Sequence, residues 1–161
     1  MYPPNLNEIV SLFEALPDEE KRENLIDYAD RAPRCAPQPG EQFDLEDVRK
    51  DEECTDTVGV FLKVADDRRT HFRITLGPQV QTLTKAMTAI LCRGFEGATP
   101  EEIMAVPQDF VPRIVGGQLV RLRSQTVYYI LTRMKSVCKA WLNRERAADT
   151  GNRLPATGWQ L

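Results

Sequence analysis

The stretch TVGVFLKVADDRRTHFRITL, residues 57–76, holds two runs with the period of a half-buried strand. Val58, Val60, Leu62 and Val64 alternate with other residues, and Thr70, Phe72, Ile74 and Leu76 do so again. Between them Asp66 to Arg69 is a polar turn, so the two runs predict an antiparallel hairpin that ends at Gly77-Pro78. A short further strand is expected around Val48. Working outward, Leu6, Ile9, Val10 and Phe13 fall at helical spacing, with Asn5 as the expected N-cap. Pro17 and Asp18 restart a second helix carrying Leu25, Ile26 and Ala29, which stops near Pro33. Its first turn holds Glu19 and Glu20, where the helix dipole favours acids. Beyond the hairpin, Val80, Leu83, Met87, Ile90 and Leu91 form one stripe, closed by Gly94. Thr99-Pro100-Glu101-Glu102 reads as a capping box with Pro at the first helical position, and Pro107 and Pro112 keep the helix short. A long last helix is expected from Leu119, Leu122, Thr126, Ile130, Met134, Val137 and Trp141. The order predicts an α+β fold: N-terminal helices, an antiparallel sheet of about three strands, and C-terminal helices packed on one face. One domain is expected over 1–143, with a flexible tail over 144–161 where periodicity is lost.

At 161 residues the chain fits one domain with a sizeable core. No apolar run approaches the ~18 residues that cross a bilayer, and no charged n-region or apolar h-region opens the sequence, so a cytoplasmic setting with reduced thiols is expected. The net charge of −3 hides an asymmetry. Residues 1–56 carry 16 acids against 6 bases, a net of −10, and residues 57–161 carry 8 against 15, a net of +7. Such a split suits either a basic surface or attraction between the two halves. The overall pI of about 5.3 and the lack of a motif speak against nucleic acid.

The cysteines at 35, 54, 92 and 138 contain no C-x-x-C pair, which removes zinc-finger and thioredoxin-type readings; no metal or cofactor is expected. Cys138 lies on the apolar stripe of the last helix and Cys92 one residue off the stripe of its own, so both read as packed thiols. Cys35, between prolines, has no activator visible in the sequence. Cys54 differs, because it follows Asp51-Glu52-Glu53 and precedes Thr55-Asp56, too polar a segment for a core packer. Those carboxylates raise a thiol's pKa, so a reacting Cys54 needs positive charge or a proton acceptor from elsewhere. His71 shares a strand face with Arg73 and Thr75 and reads as solvated. The basic residues Arg121, Arg123, Arg133, Lys135, Lys139, Arg144 and Arg146 read mostly as the solvated side of the last helix.

Four segments in order, around a cysteine, resemble the SufE family of sulfur-acceptor proteins in iron–sulfur cluster assembly, over roughly Leu6 to Lys139. They are Leu25-Ile26-Asp27-Tyr28-Ala29-Asp30-Arg31-Ala32-Pro33; Glu53-Cys54-Thr55-Asp56 running into a strand; Gly94 through Ile103 with Val106-Pro107-Gln108-Asp109-Phe110; and Leu119 through Gln125. The resemblance implies a covalent sulfur carrier rather than a stand-alone enzyme. A pyridoxal-phosphate cysteine desulfurase, similar to SufS, would hold sulfur as a persulfide. Cys54 by position would accept that sulfur, with stimulation of the desulfurase, and pass it to the iron–sulfur scaffold complex. Arg123 matches the family's arginine at the last helix and is the candidate for the missing positive charge.

The chain departs from the family pattern at several positions. Glu53 stands where many members carry Gly, Thr57-Val58-Gly59-Val60 replaces an aromatic pattern, and Ala86 and Thr126 replace glycines. Val120 and Arg121 stand where the family has Ser and Pro. These changes bear on partner choice more than on fold. Two other readings stay open at this point: a noncatalytic protein-binding module, and a nucleic-acid binder using the basic last helix.

Overall fold

The computed structural model describes residues 1–50, 57–116 and 125–158, with backbone alone at 50, 125–126 and 150–158. Helices α1 (Pro4–Ala15) and α2 (Asp18–Arg31) lead through a 3-10 turn (Ala32–Cys35) to strands β1 (Leu45–Lys50), β2 (Thr57–Val64) and β3 (Thr70–Thr75). Then come α3 (Thr82–Phe95), α4 (Pro100–Met104), α5 (Phe110–Val115) and α6 (Gln125–Gly158). The sheet order is β1-β2-β3, antiparallel throughout. This is the expected α+β architecture, including the strand around Val48.

The hairpin register places Val60 opposite Ile74 and Leu62 opposite Phe72. These four side chains and Val58 are buried, so the even-numbered side of both strands is the core face. The polar turn closes through Ala65 N–H donating to Arg69 O at 2.9 Å and Arg68 N–H donating to Ala65 O at 2.8 Å. Arg68 takes a φ of 68° there. Its guanidinium pairs with Glu101 at the start of α4 and Glu145 of α6, and lies over the Trp141 ring. The turn is thereby fastened to two helices.

Helix α3 is the hub, packed by α1, α2, β3 and α6. The expected stripe is one side of it; Ala86, Ala89, Cys92, Gly94, Thr84 and Thr88 are buried on the others. Small residues let neighbouring backbones come close, and this seam is tightest at Gly94. Asn5 does not cap α1, which begins at Pro4. Its side-chain amide instead donates to Glu96 O at 3.1 Å and Arg93 O at 3.5 Å, covering carbonyls at the C-terminal end of α3. Ile26 is another correction, being 53% exposed on α2, where Tyr28 takes the buried position.

The capping box forms as read: Glu102 N–H donates to Thr99 Oγ1 and Thr99 N–H to Glu102 Oε1, both at 3.2 Å. The last helix does not end at Arg144 but continues to Gly158. Asn143 through Asp149 loses its apolar stripe yet is rich in helix formers, and nothing in it breaks the backbone ladder. Arg144 donates to Asp44 O at 3.1 Å, and Glu145 holds Arg68. Leu119 and Leu122 lie outside the described residues. Among those described, Val127, Ile130, Leu131, Met134, Val137 and Cys138 of α6 are buried.

Gly94→Ala sets two effects against each other. Helix propensity gains roughly 1 kcal/mol. A Cβ there, however, meets Leu6 Cδ1, Cβ and Cα at 3.0, 3.1 and 3.2 Å, and the last is backbone that moves only with α1. Overpacking of this kind costs about 1–3 kcal/mol. The substitution is expected to lower stability by about 1 kcal/mol, read as a lower urea midpoint at constant m. An unchanged or raised midpoint would mean that α1 slides without cost.

Candidate functional site

Two places concentrate chemistry-bearing side chains, one beside the β1–β2 connection and one beside α3. At the first, strand pairing brings Lys50 opposite Thr57, bracketing residues 51–56. Cys54 falls in that segment and Arg123 in 117–124, so both sequence-assigned site residues lie outside the described residues.

What holds the two strand ends is described. Arg133 of α6 is 2% exposed. Its Nε donates to Asp47 Oδ2 at 3.3 Å, its Nη1 to Val58 O at 2.6 Å, and its Nη2 to Asp47 O. One planar fork thus reaches β1 and the first turn of pairing in β2. Burial pushes the Asp47 carboxyl up, but hydrogen bonds from Arg49 and Arg133 outweigh it and hold the group below its usual range. The Tyr129 ring lies 5.5 Å from the Arg133 guanidinium carbon.

The basic series of the last helix therefore is not one solvated side. Arg133 is buried, Lys135 donates to Val106 O, and Arg144 bonds Asp44 O. Arg133 was legible in principle, since it stands three after Ile130 and four before Val137, on the apolar face. An arginine at such a position is a candidate buried anchor.

The second place is a cavity of about 340 Å3 between the 3-10 turn, β3 and α3. Cys35 and Cys92 both line it, and the Cys35 thiol donates to Arg31 O at 3.9 Å. Cys35 is half-buried and Cys92 buried. Interaction with the Cys92 thiol lowers the Cys35 thiol to about 7; burial opposes this, and the Arg73 charge adds to it. The same interaction and burial push Cys92 well up. Packing of Cys92 is as expected, but Cys35 has the activator that its sequence surroundings did not reveal. No local pattern could have found it, because the partner comes from a distant helix.

His71 also lines this cavity, with Nδ1 2.8 Å from Glu96 Oε2 and Nε2 3.6 Å from Glu41 Oε2. It is a half-buried strand residue hydrogen-bonded to Glu96 rather than a freely solvated one. Arg73 pairs with Glu41 at 3.1 Å and donates to Arg34 O at 2.9 Å. Cys138 is buried, and burial pushes its thiol up to about 12. Among the described residues no group of three or more His, Cys, Asp or Glu is arranged to hold a metal ion, and no helix is long and apolar enough to cross a membrane.

Comparison with known proteins gives one family and one solved fold. Residues 7–138 match the SufE model, described as an Fe-S metabolism associated domain. The chain is similar to a hypothetical protein from Thermus thermophilus whose solution structure is known, with 25% identity and a TM-score of 0.71. That likeness covers 89% of this chain and 99% of the other. No curated protein matches.

Two outcomes are expected from this geometry. Arg133→Ala takes from two carbonyls their guanidinium donor and leaves the Asp47 carboxylate to Arg49 alone, and should cost about 3 kcal/mol of unfolding free energy. A loss below about 1 kcal/mol would show that apolar packing alone holds the hairpin. In the native chain, iodoacetamide should modify Cys35 first, since the thiolate is the nucleophile. Its rate should rise with pH, reach half its plateau near 7, and leave Cys138 untouched. Equal labelling of Cys35 and Cys138 across that range would contradict the paired-thiol geometry.

Proposed function

Since the chain belongs to the SufE family and so has a role in Fe-S metabolism, we propose that it is a sulfur-acceptor protein working with a cysteine desulfurase. In this reading Cys54 carries the sulfur. Its thiolate attacks the outer sulfur of a cysteine persulfide on the desulfurase. The new S–S bond forms as the old one breaks, and the desulfurase cysteine leaves as a thiolate. Cys54 then holds the persulfide and delivers its outer sulfur to an iron–sulfur scaffold. No stand-alone catalysis is required, because exchange at sulfur depends on thiolate character and access, both of which a docked partner supplies. A cytoplasmic location belongs to the same reading.

The observation that carries the proposal is the family match over residues 7–138, a span that includes Cys54 and Arg123. The other thiols support it by elimination. Cys92 and Cys138 are buried, and Cys35 is half-buried in a cavity sized for a small molecule rather than a protein partner. The strand pairing on either side of 51–56 adds a rigid base, clamped by Arg133 to α6. Asp51, Glu52, Glu53 and Asp56 disfavour the Cys54 thiolate in the free protein. These carboxylates keep the thiol quiet until the desulfurase arrives, and Arg123 is the residue assigned to offset them.

The test is incubation with a cysteine desulfurase from the same source, its pyridoxal cofactor and free cysteine, followed by intact mass without reductant. The native chain should gain one sulfur atom, Cys54→Ser none, and Arg123→Ala should gain it about tenfold more slowly, the change that one unit of thiol pKa makes in thiolate. No gain by the native chain would remove the sulfur-relay reading. A gain that persists in Cys54→Ser would move the carrier to another thiol, and an undiminished rate in Arg123→Ala would remove that residue's role.

A further inference from the structure

We propose that Cys35 and Cys92 form a second thiol site, a dithiol that reduces small carboxylate-bearing disulfides bound in the cavity beside α3. The two thiols line one cavity where the 3-10 turn packs against α3, Cys35 half-buried and Cys92 buried. That asymmetry is what a dithiol couple needs: an accessible attacking thiol, and a protected one that reacts second. A volume of about 340 Å3 suits a small molecule. The lining is cationic, with Arg31, Arg34, Arg73 and Arg93 against the single carboxylate of Glu96. Glu96 is already engaged by His71 and Arg73 by Glu41, and Arg31 lies over the Tyr28 ring. Among the described residues Arg34 and Arg93 have no carboxylate partner, which leaves two guanidiniums facing one cavity for an anionic ligand. Such forks match carboxylates in shape and charge.

The reaction balances in two exchanges. Cys35 thiolate attacks one sulfur of the disulfide, forming a mixed disulfide and releasing the first small thiolate. Cys92 then attacks the Cys35 sulfur, giving its proton to the departing group and releasing the second small thiol. Net, the two protein thiols are oxidised to one disulfide, and the small disulfide is reduced to two thiols. At pH 7 the thiolate fraction of Cys35 is about fifty times that of a thiol near 9. Its lower intrinsic nucleophilicity takes back most of this, for a net advantage of roughly sixfold. Any larger preference must come from binding.

The experiment uses the full chain carrying Cys54→Ser, so that the relay proposed above plays no part and each idea fails separately. Three disulfides of similar size are compared: bis(carboxymethyl) disulfide, neutral bis(2-hydroxyethyl) disulfide and cationic cystamine. Each rate is divided by that of an unstructured cysteine peptide. The dianion should lead the neutral compound by at least about tenfold at low salt, with the lead shrinking as ionic strength rises. Peptide mapping should find Cys35 joined to Cys92, two hydrogens lighter, with two small thiols released per chain. Cys92→Ala should stop at one released thiol and a mixed disulfide on Cys35. Replacing Arg34 and Arg93 together by Gln should erase the preference. A link formed equally fast from all three disulfides would overturn the binding site. Failure of Cys35 and Cys92 to join in the Cys54→Ser chain would overturn the dithiol.

Discussion

A buried guanidinium has to find acceptors for its N–H groups or it destabilises the fold, and Arg133 satisfies this demand by joining three elements at once. Its acceptors are a carboxylate and a carbonyl on β1 and a carbonyl at the start of β2. Desolvating such a group is costly, and the gain in energy over an apolar residue is often small. What the arrangement secures is geometry. Slipping β1 by one residue against β2 would move Asp47 away from the fork, and shifting α6 along its axis would do the same. A three-stranded sheet with β1 at its edge has few other constraints on register. The strand ends next to residues 51–56 are therefore set by an ionic contact from the last helix as well as by the strands themselves.

The second organising feature is the central position of α3. Leu, Ile, Met and Phe provide its bulk, but Ala86, Ala89 and Gly94 determine how close its neighbours come. The 3-10 turn after α2 is brought against it by the same close packing, which is how Cys35 reaches Cys92. Helix packing and thiol chemistry are thus linked at this place: the packing that completes the core also sets both thiols in one cavity wall.

Most of the fold was legible because its signals are local. Alternation gave the hairpin, helical spacing gave α1, α3 and α6, and Thr99 to Glu102 gave a cap that the structure reproduces atom by atom. The misreadings share a cause. Asn5 was assigned to the nearest helix end, whereas its amide serves the end of a helix far along the chain. Ile26 was placed inside by hydrophobicity, whereas Tyr28 lies on the side that faces α3 and Phe13. Arg133 was read by charge rather than by its place on an apolar face. In each case a tertiary partner decided the outcome, and single-residue character carries no record of that partner. The candidate site was less legible from periodicity than the fold. Cys54 drew notice because its surroundings were wrong for packing, and Arg123 only through the family resemblance. The pairing of Cys35 with Cys92 left no trace in spacing at all.

The fixed ends of the β1–β2 connection set a limit on distance. Three residues separate Cys54 from Thr57, and a chain advances at most ~3.3–3.6 Å per residue, so the Cys54 Cα stays within about 11 Å of the Thr57 Cα in any conformation. Thr57 is itself held in the sheet. A sulfur on so short a leash cannot swing between distant stations in the manner of a lipoyl or pantetheine arm. In the proposed relay, donor and recipient would each have to come to the same end of the sheet, and in turn. The two partners of such a carrier would compete for one landing place, so the order of delivery would be governed by exclusion rather than by travel.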